Sequence, residues 1–189
     1  MMKHISGQYY HIYNRGVEKR DIFAREENYL FLLRRVKEFL PNYPVTFIAY
    51  CLMPTHYHFL TRAEEDGGIS PFLQRVFNSY TQAFNRQEER SGTLFEGRAK
   101  SVLINENSYL FHIARYIHLN PVRAGLVKRP EDWIYSNYLE FIGLRKGKLY
   151  DVAFVQAQFS TPEEYRQFVE DAIPDEIERK LEKYMLDDD

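Results

Sequence analysis

The chain has few of the features that mark secreted and membrane-spanning proteins. Its 189 residues include a single cysteine, Cys51, so no disulfide can form within one chain. The longest uninterrupted apolar run covers only Phe47–Met53, whereas a helix that spans a bilayer needs about 20 apolar residues. The segment Met1–Gly7 lacks the apolar stretch of a secretory signal. These absences predict a cytoplasmic protein without disulfides and without contact to a membrane.

The chain also lacks a large excess of either charge, which by itself does not suggest a nucleic-acid partner. It carries 25 Lys and Arg against 27 Asp and Glu, for a formal net charge of −2. The distribution is uneven, however, because residues 1–130 hold 18 basic and 12 acidic side chains and residues 131–189 hold 7 and 15. A basic body with an acidic tail is one pattern of phosphate-binding proteins, although many solvated surfaces share it.

Apolar residues make up 44% of the chain, enough for a core, and their spacing predicts one α+β body. The predicted elements follow the order strand, helix, strand, strand, helix, strand, helix: Tyr9–Tyr13, Glu26–Leu40, Val45–Met53, Tyr57–Thr61, Ser70–Arg90, Lys100–Ile104 and Ser108–Asn120. The short connection Met53–Thr55 predicts a hairpin, and hairpins make antiparallel pairs. We therefore expect a ferredoxin-like βαββαβ sandwich with an antiparallel sheet, plus a C-terminal helical extension, rather than a doubly wound parallel sheet.

Helical spacing also predicts which side of the first helix is buried. The residues expected to face the core are Leu30, Leu33, Val36 and Leu40. Asn14–Gly16 has the composition of a turn that ends the first strand.

A change of composition near residue 143 predicts two parts. Residues 1–143 form the main body, and a basic loop with Gly143 and Gly147 leads into an acidic helical extension over residues 144–189. Thr161–Glu164 has the pattern of a capping box with proline at the first helical position. A second short helix is expected near Pro174, and Asp187–Asp189 are expected to fray.

Two histidines separated by one residue are the clearest chemical feature. His56 and His58 lie at the third predicted strand, where alternate side chains point to the same face. Two neighbouring imidazoles on one face can hold a metal ion. An ordinary pair of histidines at a strand edge, with no ligand, is the alternative.

The last helix of the body carries two stripes. An apolar stripe predicts its buried side: Leu110, Ile113, Ala114 and Ile117. A second face carries Tyr109, His112, Tyr116 and Asn120 at spacings of three and four residues. A phenol is a weak nucleophile while it holds its proton, since its ordinary pKa is near 10, but a metal ion can polarise a phosphate for attack by it. The product would be a covalent phosphotyrosine. Tyrosines that merely cover the edge of the core are the alternative.

Five segments together match one family in the order and at the separations that it shows, over about residues 8–143: Tyr10–Gly16, Met53–His58, Tyr116–Val127, Glu131–Trp133 and Tyr135–Ser136. On these segments the chain resembles the REP-associated tyrosine transposases, a branch of the single-tyrosine HUH transposases and nucleases. The resemblance makes residues 1–143 the catalytic domain.

The resemblance implies a role for each matched residue. Tyr116 would be the nucleophile, and His56 and His58 would bind Mg²⁺ or Mn²⁺. The third ligand would be Asn120, where relatives often carry glutamine, although Pro121 disfavours helical geometry at this position. Tyr109 is the competing nucleophile because it shares the helix face of Tyr116.

The implied activity is that of a single-stranded DNA endonuclease and strand transferase. It would cleave and rejoin DNA next to a hairpin from a repeated extragenic palindrome, through a phosphotyrosine intermediate. The residues beside the motifs that would contact phosphates are Arg15, Arg98, Lys100 and Arg123. Two alternatives stay open: a domesticated protein that binds DNA or RNA hairpins without turnover, and a metal-dependent phosphodiesterase that uses water. The sequence also leaves open whether the protein is a monomer or a homodimer.

The second predicted helix mixes basic and aromatic residues. Phe77, Tyr80 and Phe84 are interleaved with arginines over residues 70–90. Such a pattern can stack unpaired bases, but aromatic residues at helical spacing more often belong to the core.

Overall fold

The centre of the protein is a single antiparallel sheet, seen in a computed structural model that describes residues 3–147, 149–173 and 175–184. The spatial order of its strands is β2-β3-β1-β4, and every neighbouring pair is antiparallel. The four strands are β1 (Tyr9–Arg15), β2 (Val45–Leu52), β3 (His56–Ala63) and β4 (Lys100–Ile104). β2 and β3 form the predicted hairpin, because only three residues join them.

Three long helices cover the sheet. α1 (Glu26–Phe39) and α2 (Ile69–Gln87) pack on one face, and α3 (Leu110–Arg123) packs on the other. This order and layering confirm the predicted ferredoxin-like α+β sandwich. No helix in the described part of the chain is both long enough and apolar enough to cross a bilayer.

The C-terminal extension is helical, as predicted. α4 (Tyr138–Phe141) lies at the end of the main body, and the extension holds three short helices: α5 (Val152–Gln158), α6 (Pro162–Glu170) and α7 (Asp175–Leu181). α7 continues as a single 3₁₀ turn over Glu182–Tyr184. The Thr161 side chain accepts a hydrogen bond from the Glu164 backbone N–H at 3.2 Å, so Thr161 caps α6 as its sequence predicts. Pro174 and Asp187–Asp189 lie outside the described residues.

β1 is longer than predicted. Instead of turning at Asn14, the strand pairs Asn14 with Tyr57 and Arg15 with His56 before it ends. The prediction of a turn was wrong because the hydrogen bonds to β3 outweigh the turn preference of Asn14. The extra pairs place Arg15 directly opposite His56.

The predicted buried side of α1 was partly right. Val36 is buried, and Leu33 and Leu40 pack against the core, but Leu30 is 47% exposed, and Tyr29 and Leu32 are buried instead. The Tyr29 ring stacks on Tyr135, with 3.9 Å between ring centroids. Because both stripes of α1 are apolar, the spacing alone did not decide between them.

The sequence predicted that α3 ends at Asn120, but the helix continues beyond it. It passes through Pro121 to Arg123, and the Ala124 backbone N–H donates to the Asn120 carbonyl at 2.9 Å. Proline at this position costs one backbone hydrogen bond, but the packing of α3 on both sides holds the last turn in place. Asn120 therefore lies on the helix, one turn after Tyr116.

The C-terminal extension covers the side of α3 that faces away from the sheet. Its buried residues belong to the same core cluster as α3: Val155, Tyr165, Val169, Leu181 and Tyr184. For this reason α3 is buried on more sides than an amphipathic helix at a protein surface would be. Even its polar residues Arg115 and His118 are buried. The division of the chain at residue 143 stays a prediction.

Candidate active site

The two histidines of the His-Tyr-His motif lie at the start of β3, next to the hairpin. His56 pairs with Arg15 and His58 with Tyr13 across the β1–β3 ladder. Strand alternation turns both imidazoles toward α3, while Tyr57 between them enters the core on the α2 side. The two imidazole centroids are 5.0 Å apart.

The Asn120 amide lies between the two imidazoles. Its Oδ1 atom is 3.2 Å from His56 Nε2, and its Nδ2 atom is 3.3 Å from His58 Nε2. Helical geometry at Asn120 produces this placement, because α3 crosses the sheet over the start of β3. The three side chains named as ligands are therefore adjacent in the fold.

A third histidine, His11, belongs to the same cluster and was missed at the level of sequence. Its Nε2 atom is 3.0 Å from His58 Nδ1, and its Nδ1 atom is 2.5 Å from the backbone carbonyl of Tyr184. The signal that could have identified His11 is strand alternation, because His11 shares a face of β1 with Tyr13, the partner of His58.

Burial keeps the imidazoles of His58 and His11 neutral near pH 7. It lowers the pKa of His58 well below the usual 6.5, and the neighbouring His11 and His56 lower it further. The pKa of His11 falls to about 4 for the same reason, although its hydrogen bond to the Tyr184 carbonyl opposes the change. A neutral imidazole has the lone pair that a metal ion needs.

The donor atoms at the start of β3 fit a divalent cation. Two Nε2 atoms and one amide oxygen form a mixed nitrogen and oxygen set, and ligands about 2.1 Å from a metal at right angles lie about 3 Å apart. The separation of 3.2 Å between Asn120 Oδ1 and His56 Nε2 is close to that value. Within the described residues, no group of three or more His, Cys, Asp or Glu side chains could hold a metal ion, so the candidate set depends on the amide.

Tyr116 is the phenol that adjoins the imidazoles. Its ring meets the His58 ring edge to face, with centroids 5.6 Å apart, and the His11 ring at 6.1 Å. The Arg123 guanidinium carbon lies 5.5 Å from the Tyr116 ring centroid. Tyr109, by contrast, lies just before α3, and its phenol interacts with the Lys180 ammonium group. The structure thus brings Tyr116, and not Tyr109, to the histidines.

The C-terminal extension closes the site on one side. Glu178 of α7 forms an ion pair with Arg123 at 3.4 Å, and the Tyr184 carbonyl contacts His11. Tyr116 is only 3% exposed beneath this cover. Two neighbours of Tyr116, Arg123 and His11, are therefore held by the extension.

The four basic residues predicted to contact phosphates lie at different distances from the site. Arg15 and Lys100 line a cleft of about 250 Å³, together with Tyr13, and Arg15 forms an ion pair with Glu96 there. Arg123 lies beside Tyr116. Arg98 lines a separate, larger cleft next to α2, so the structure does not bring it to the histidines.

A buried polar cluster fixes the position of α3 and was not predicted. His118 Nε2 lies 3.0 Å from Asn137 Oδ1, and the Tyr165 hydroxyl lies 2.7 Å from His118 Nδ1. The Asn137 amide also bonds to two backbone groups of β2, the Tyr50 N–H at 2.7 Å and the Ile48 carbonyl at 2.9 Å. These bonds join α3 to β2 and to α6, and so hold Tyr116 and Asn120 against the sheet.

Comparison with known proteins agrees with this architecture. A family model described as IS200-like transposase matches residues 4–120. A REP-associated tyrosine transposase of Haemophilus influenzae is 28% identical over 112 residues, which cover 54% of this chain and 64% of that protein; the chain therefore spans less than two thirds of this relative. A solved structure of a REP-associated tyrosine transposase bound to a REP hairpin has a TM-score of 0.65 at 21% identity, covering 79% of this chain and 92% of that one, and shows the shared fold. Because the family model matches more than half of its length, the chain belongs to the IS200-like transposase family.

Proposed function

We propose that this protein is a single-stranded DNA endonuclease and strand transferase that uses Tyr116 as its nucleophile. The observation that supports this most strongly is the contact of the Tyr116 ring with the His58 ring, which itself adjoins Asn120. A phenol beside imidazoles and an amide that could hold a divalent cation suits nucleophilic attack on a phosphodiester. Membership in a transposase family makes DNA the natural substrate.

His56, His58 and Asn120 would hold a divalent cation, Mg²⁺ or Mn²⁺. Such a cation, when bound, withdraws charge from a phosphate and orients it for in-line attack. The amide of Asn120 already reaches both imidazoles, so its side chain is long enough to take part although relatives often carry glutamine there. Hydrogen bonds to His11 and Thr55 would keep the two histidine rings in place.

The reaction would exchange one phosphoester for another. The Tyr116 oxygen forms a bond to phosphorus, one P–O ester bond of the DNA strand breaks, and the departing strand end leaves as a hydroxyl group. Attack of a strand hydroxyl on the phosphotyrosine then reverses the exchange, rejoins DNA and frees Tyr116. Arg123 lies where its positive charge would stabilise the negative charge that develops in either step.

Single-stranded DNA that adjoins a hairpin is the proposed partner. The solved relative with the same fold is bound to a REP hairpin. Basic side chains beside the site, Arg15 and Lys100, line a cleft that would hold the strand by its phosphates. Arg123 would be a further phosphate contact once it separates from Glu178.

The experiment that tests the proposal is cleavage of a labelled library of single-stranded DNA hairpins. Wild type, Tyr116→Phe and the control Tyr109→Phe are compared with Mg²⁺, with Mn²⁺ and with EDTA. We expect a protein–DNA adduct that survives denaturation, requires the metal, is absent in Tyr116→Phe and persists in Tyr109→Phe. Cleavage that persists in Tyr116→Phe would indicate water or Tyr109 as nucleophile. Tight hairpin binding without any cleavage would indicate a binding protein without turnover.

A further inference from the structure

A second cleft, of about 610 Å³, opens on the face of the sheet opposite to the histidines. It lies between α2 and the segment 95–101, and we call it the α2 cleft. The side chains that give it its chemistry are Gln74, Phe77, Asn78, Phe95, Arg98 and Lys100. Its volume is within the range of about 300–1,000 Å³ that is typical of small-ligand sites.

One wall of the α2 cleft is aromatic and rigid. The Phe77 ring stacks on the buried Tyr57 ring at 4.4 Å, and it meets the Phe95 ring edge to face at 5.2 Å. Phe77 and Phe95 remain partly exposed, whereas Tyr80 and Phe84 of the same helix are buried in the core. The interleaved aromatic residues of α2 are therefore mostly core, but Phe77 presents a ring to the cleft.

The mouth of the α2 cleft is polar. Gln74 and Asn78 lie one helical turn apart on α2, and both are exposed. Each side-chain amide offers hydrogen-bond donors and an acceptor, which is the combination that recognises the edges of nucleobases. A flat apolar wall beside two amides suits a planar ring system with polar edges.

The charge of the α2 cleft favours a phosphodiester. Arg98 and Lys100 are exposed at its rim, and none of the described residues that line it is acidic. Phosphate groups would be attracted to this rim, whereas a neutral metabolite would gain little from it.

The α2 cleft is connected to the active site along the edge strand β4. Lys100 lines both this cleft and the smaller cleft of Arg15 and Tyr13. The Lys100 ammonium group is 5.8 Å from the Tyr13 ring centroid, which is 6.0 Å from the His58 ring centroid. A single strand could therefore pass from the histidines around β4 and reach the α2 cleft.

We propose that the α2 cleft binds one unpaired base of the DNA strand next to the hairpin, with the base on Phe77 and its phosphate on Arg98 and Lys100. This proposal rests on the proposed function, because it requires DNA as the ligand. It assigns the amides of Gln74 and Asn78 to the edge of that base. The site would then contribute to the choice of DNA sequence away from the cleaved bond.

Binding of hairpins by the full-length Tyr116→Phe protein tests the proposal separately from cleavage. The probe is a fluorescent DNA hairpin with single-stranded flanks, in which each flank nucleotide in turn is replaced by an abasic residue. We expect one abasic position to weaken binding by roughly 5- to 150-fold, the range for loss of one stacked base. Two further variants are made in the Tyr116→Phe protein: Phe77→Leu, and the double variant Gln74→Ala with Asn78→Ala. Each should weaken binding to intact DNA, and in each the abasic replacement should cause little further loss of affinity.

The control is Gln82→Ala, an exposed position of the same helix outside the α2 cleft, which should keep the full abasic effect. The double alanine variant changes only exposed side chains, so it remains informative if Phe77→Leu lowers stability. The proposal would be overturned if abasic replacement weakened binding equally at every flank position. It would also be overturned if an abasic replacement weakened binding by the cleft variants as much as it weakens binding by the unchanged cleft. If the Tyr116→Phe protein bound no hairpin at all, that result would contradict both this proposal and the proposed function.

Discussion

The Nδ2 atom of Asn120 lies 3.3 Å from the Nε2 atom of His58, and this contact fixes the tautomers of His58 and His11. An amide nitrogen only donates, so His58 Nε2 accepts and its Nδ1 carries the proton. His58 Nδ1 then donates to His11 Nε2, and His11 Nδ1 donates to the Tyr184 carbonyl. On the other side, Asn120 Oδ1 accepts from His56 Nε2. The rings of His11 and His58 are thus neutral, and the amide occupies the lone pair of His58 that a cation would take.

Substitution of Asn120 tests the proposed metal set. Asn120→Ala removes the only oxygen donor of the set, and we expect Mn²⁺ to bind at least about 10-fold more weakly, because loss of even the groups that support metal ligands costs about 10- to 100-fold. Asn120→Asp keeps an oxygen in the same place and should bind at least as tightly as wild type. Isothermal titration with Mn²⁺ measures this directly. Asn42→Ala, an exposed asparagine on the opposite side of the sheet from α3, is the control. Equal affinity of wild type and Asn120→Ala would exclude Asn120 as a ligand.

Removal of residues 175–189 tests whether the extension obstructs the active site. This deletion abolishes the ion pair between Glu178 and Arg123 and the hydrogen bond between the Tyr184 carbonyl and His11. It leaves α6 packed on α3. We expect faster formation of the Tyr116 adduct and tighter DNA binding. Because Arg123 gains a phosphate, the slope of log affinity against log salt should steepen by about 0.7.

Glu178→Gln is the matched variant for this deletion. It breaks the ion pair with Arg123 but leaves the rest of the extension in place. The salt slope should therefore steepen as in the deletion, and the rate of adduct formation should rise less than in the deletion. Thermal unfolding is measured alongside, because the deletion also removes the buried Leu181 and Tyr184 side chains. An adduct rate and a DNA affinity that equal those of wild type would show that the extension does not obstruct the site.

Buried histidines should make the fold less stable in acid. Burial lowers the pKa of His118 to about 4, and it also lowers the pKa of His4, whereas both are near 6.5 in an unfolded chain. As the pH falls below 6.5, the unfolded chain takes up protons first. The free energy of unfolding should therefore be highest above pH 6.5 and decrease between 6.5 and about 4. Urea unfolding on both sides of pH 6.5 measures the decrease, and His4→Asn should make it smaller. A free energy of unfolding that does not decrease in acid would contradict this account.

Tyr165 should stabilise the fold through its bond to His118. Since His118 Nε2 donates to Asn137, its Nδ1 accepts from the Tyr165 hydroxyl at 2.7 Å. Tyr165→Phe leaves that nitrogen buried without a donor, and we expect the free energy of unfolding to fall by about 1–3 kcal/mol. Tyr150→Phe removes a half-buried hydroxyl that lies 3.5 Å from a carbonyl and should cost less than about 0.5 kcal/mol. Chemical denaturation of the two variants compares them, and a similar loss for both would contradict a special role of the His118 bond.

The sequence was sufficient for the features that depend on local periodicity. Alternation along β3 placed His56 and His58 on one face, and the spacing of α3 placed Tyr116 one turn before Asn120. β4 begins and ends where its pattern predicts. These features follow from backbone geometry alone, so one strand or one helix can be interpreted without its neighbours.

Features that depend on contacts between distant segments were not predictable. His11 matters because β1 lies beside β3, and the sequence of β1 does not state its partner. The acidic composition of the extension did not indicate where it packs, whereas the buried faces of Tyr165, Val169 and Leu181 hold it on α3. The carbonyl of Tyr184 carries no side-chain signal at all, although it fixes the tautomer of His11.

Tyr57 stacks on Phe77 in the core while its two neighbours in sequence face the active site. Because a slip of one residue would exchange the two faces of β3, the same aromatic contact that stabilises the sheet also keeps His56 and His58 in register. Inheritance of the scaffold therefore carries the arrangement of the two imidazoles with it. Exchange of a single side chain such as Tyr116 would leave that arrangement in place.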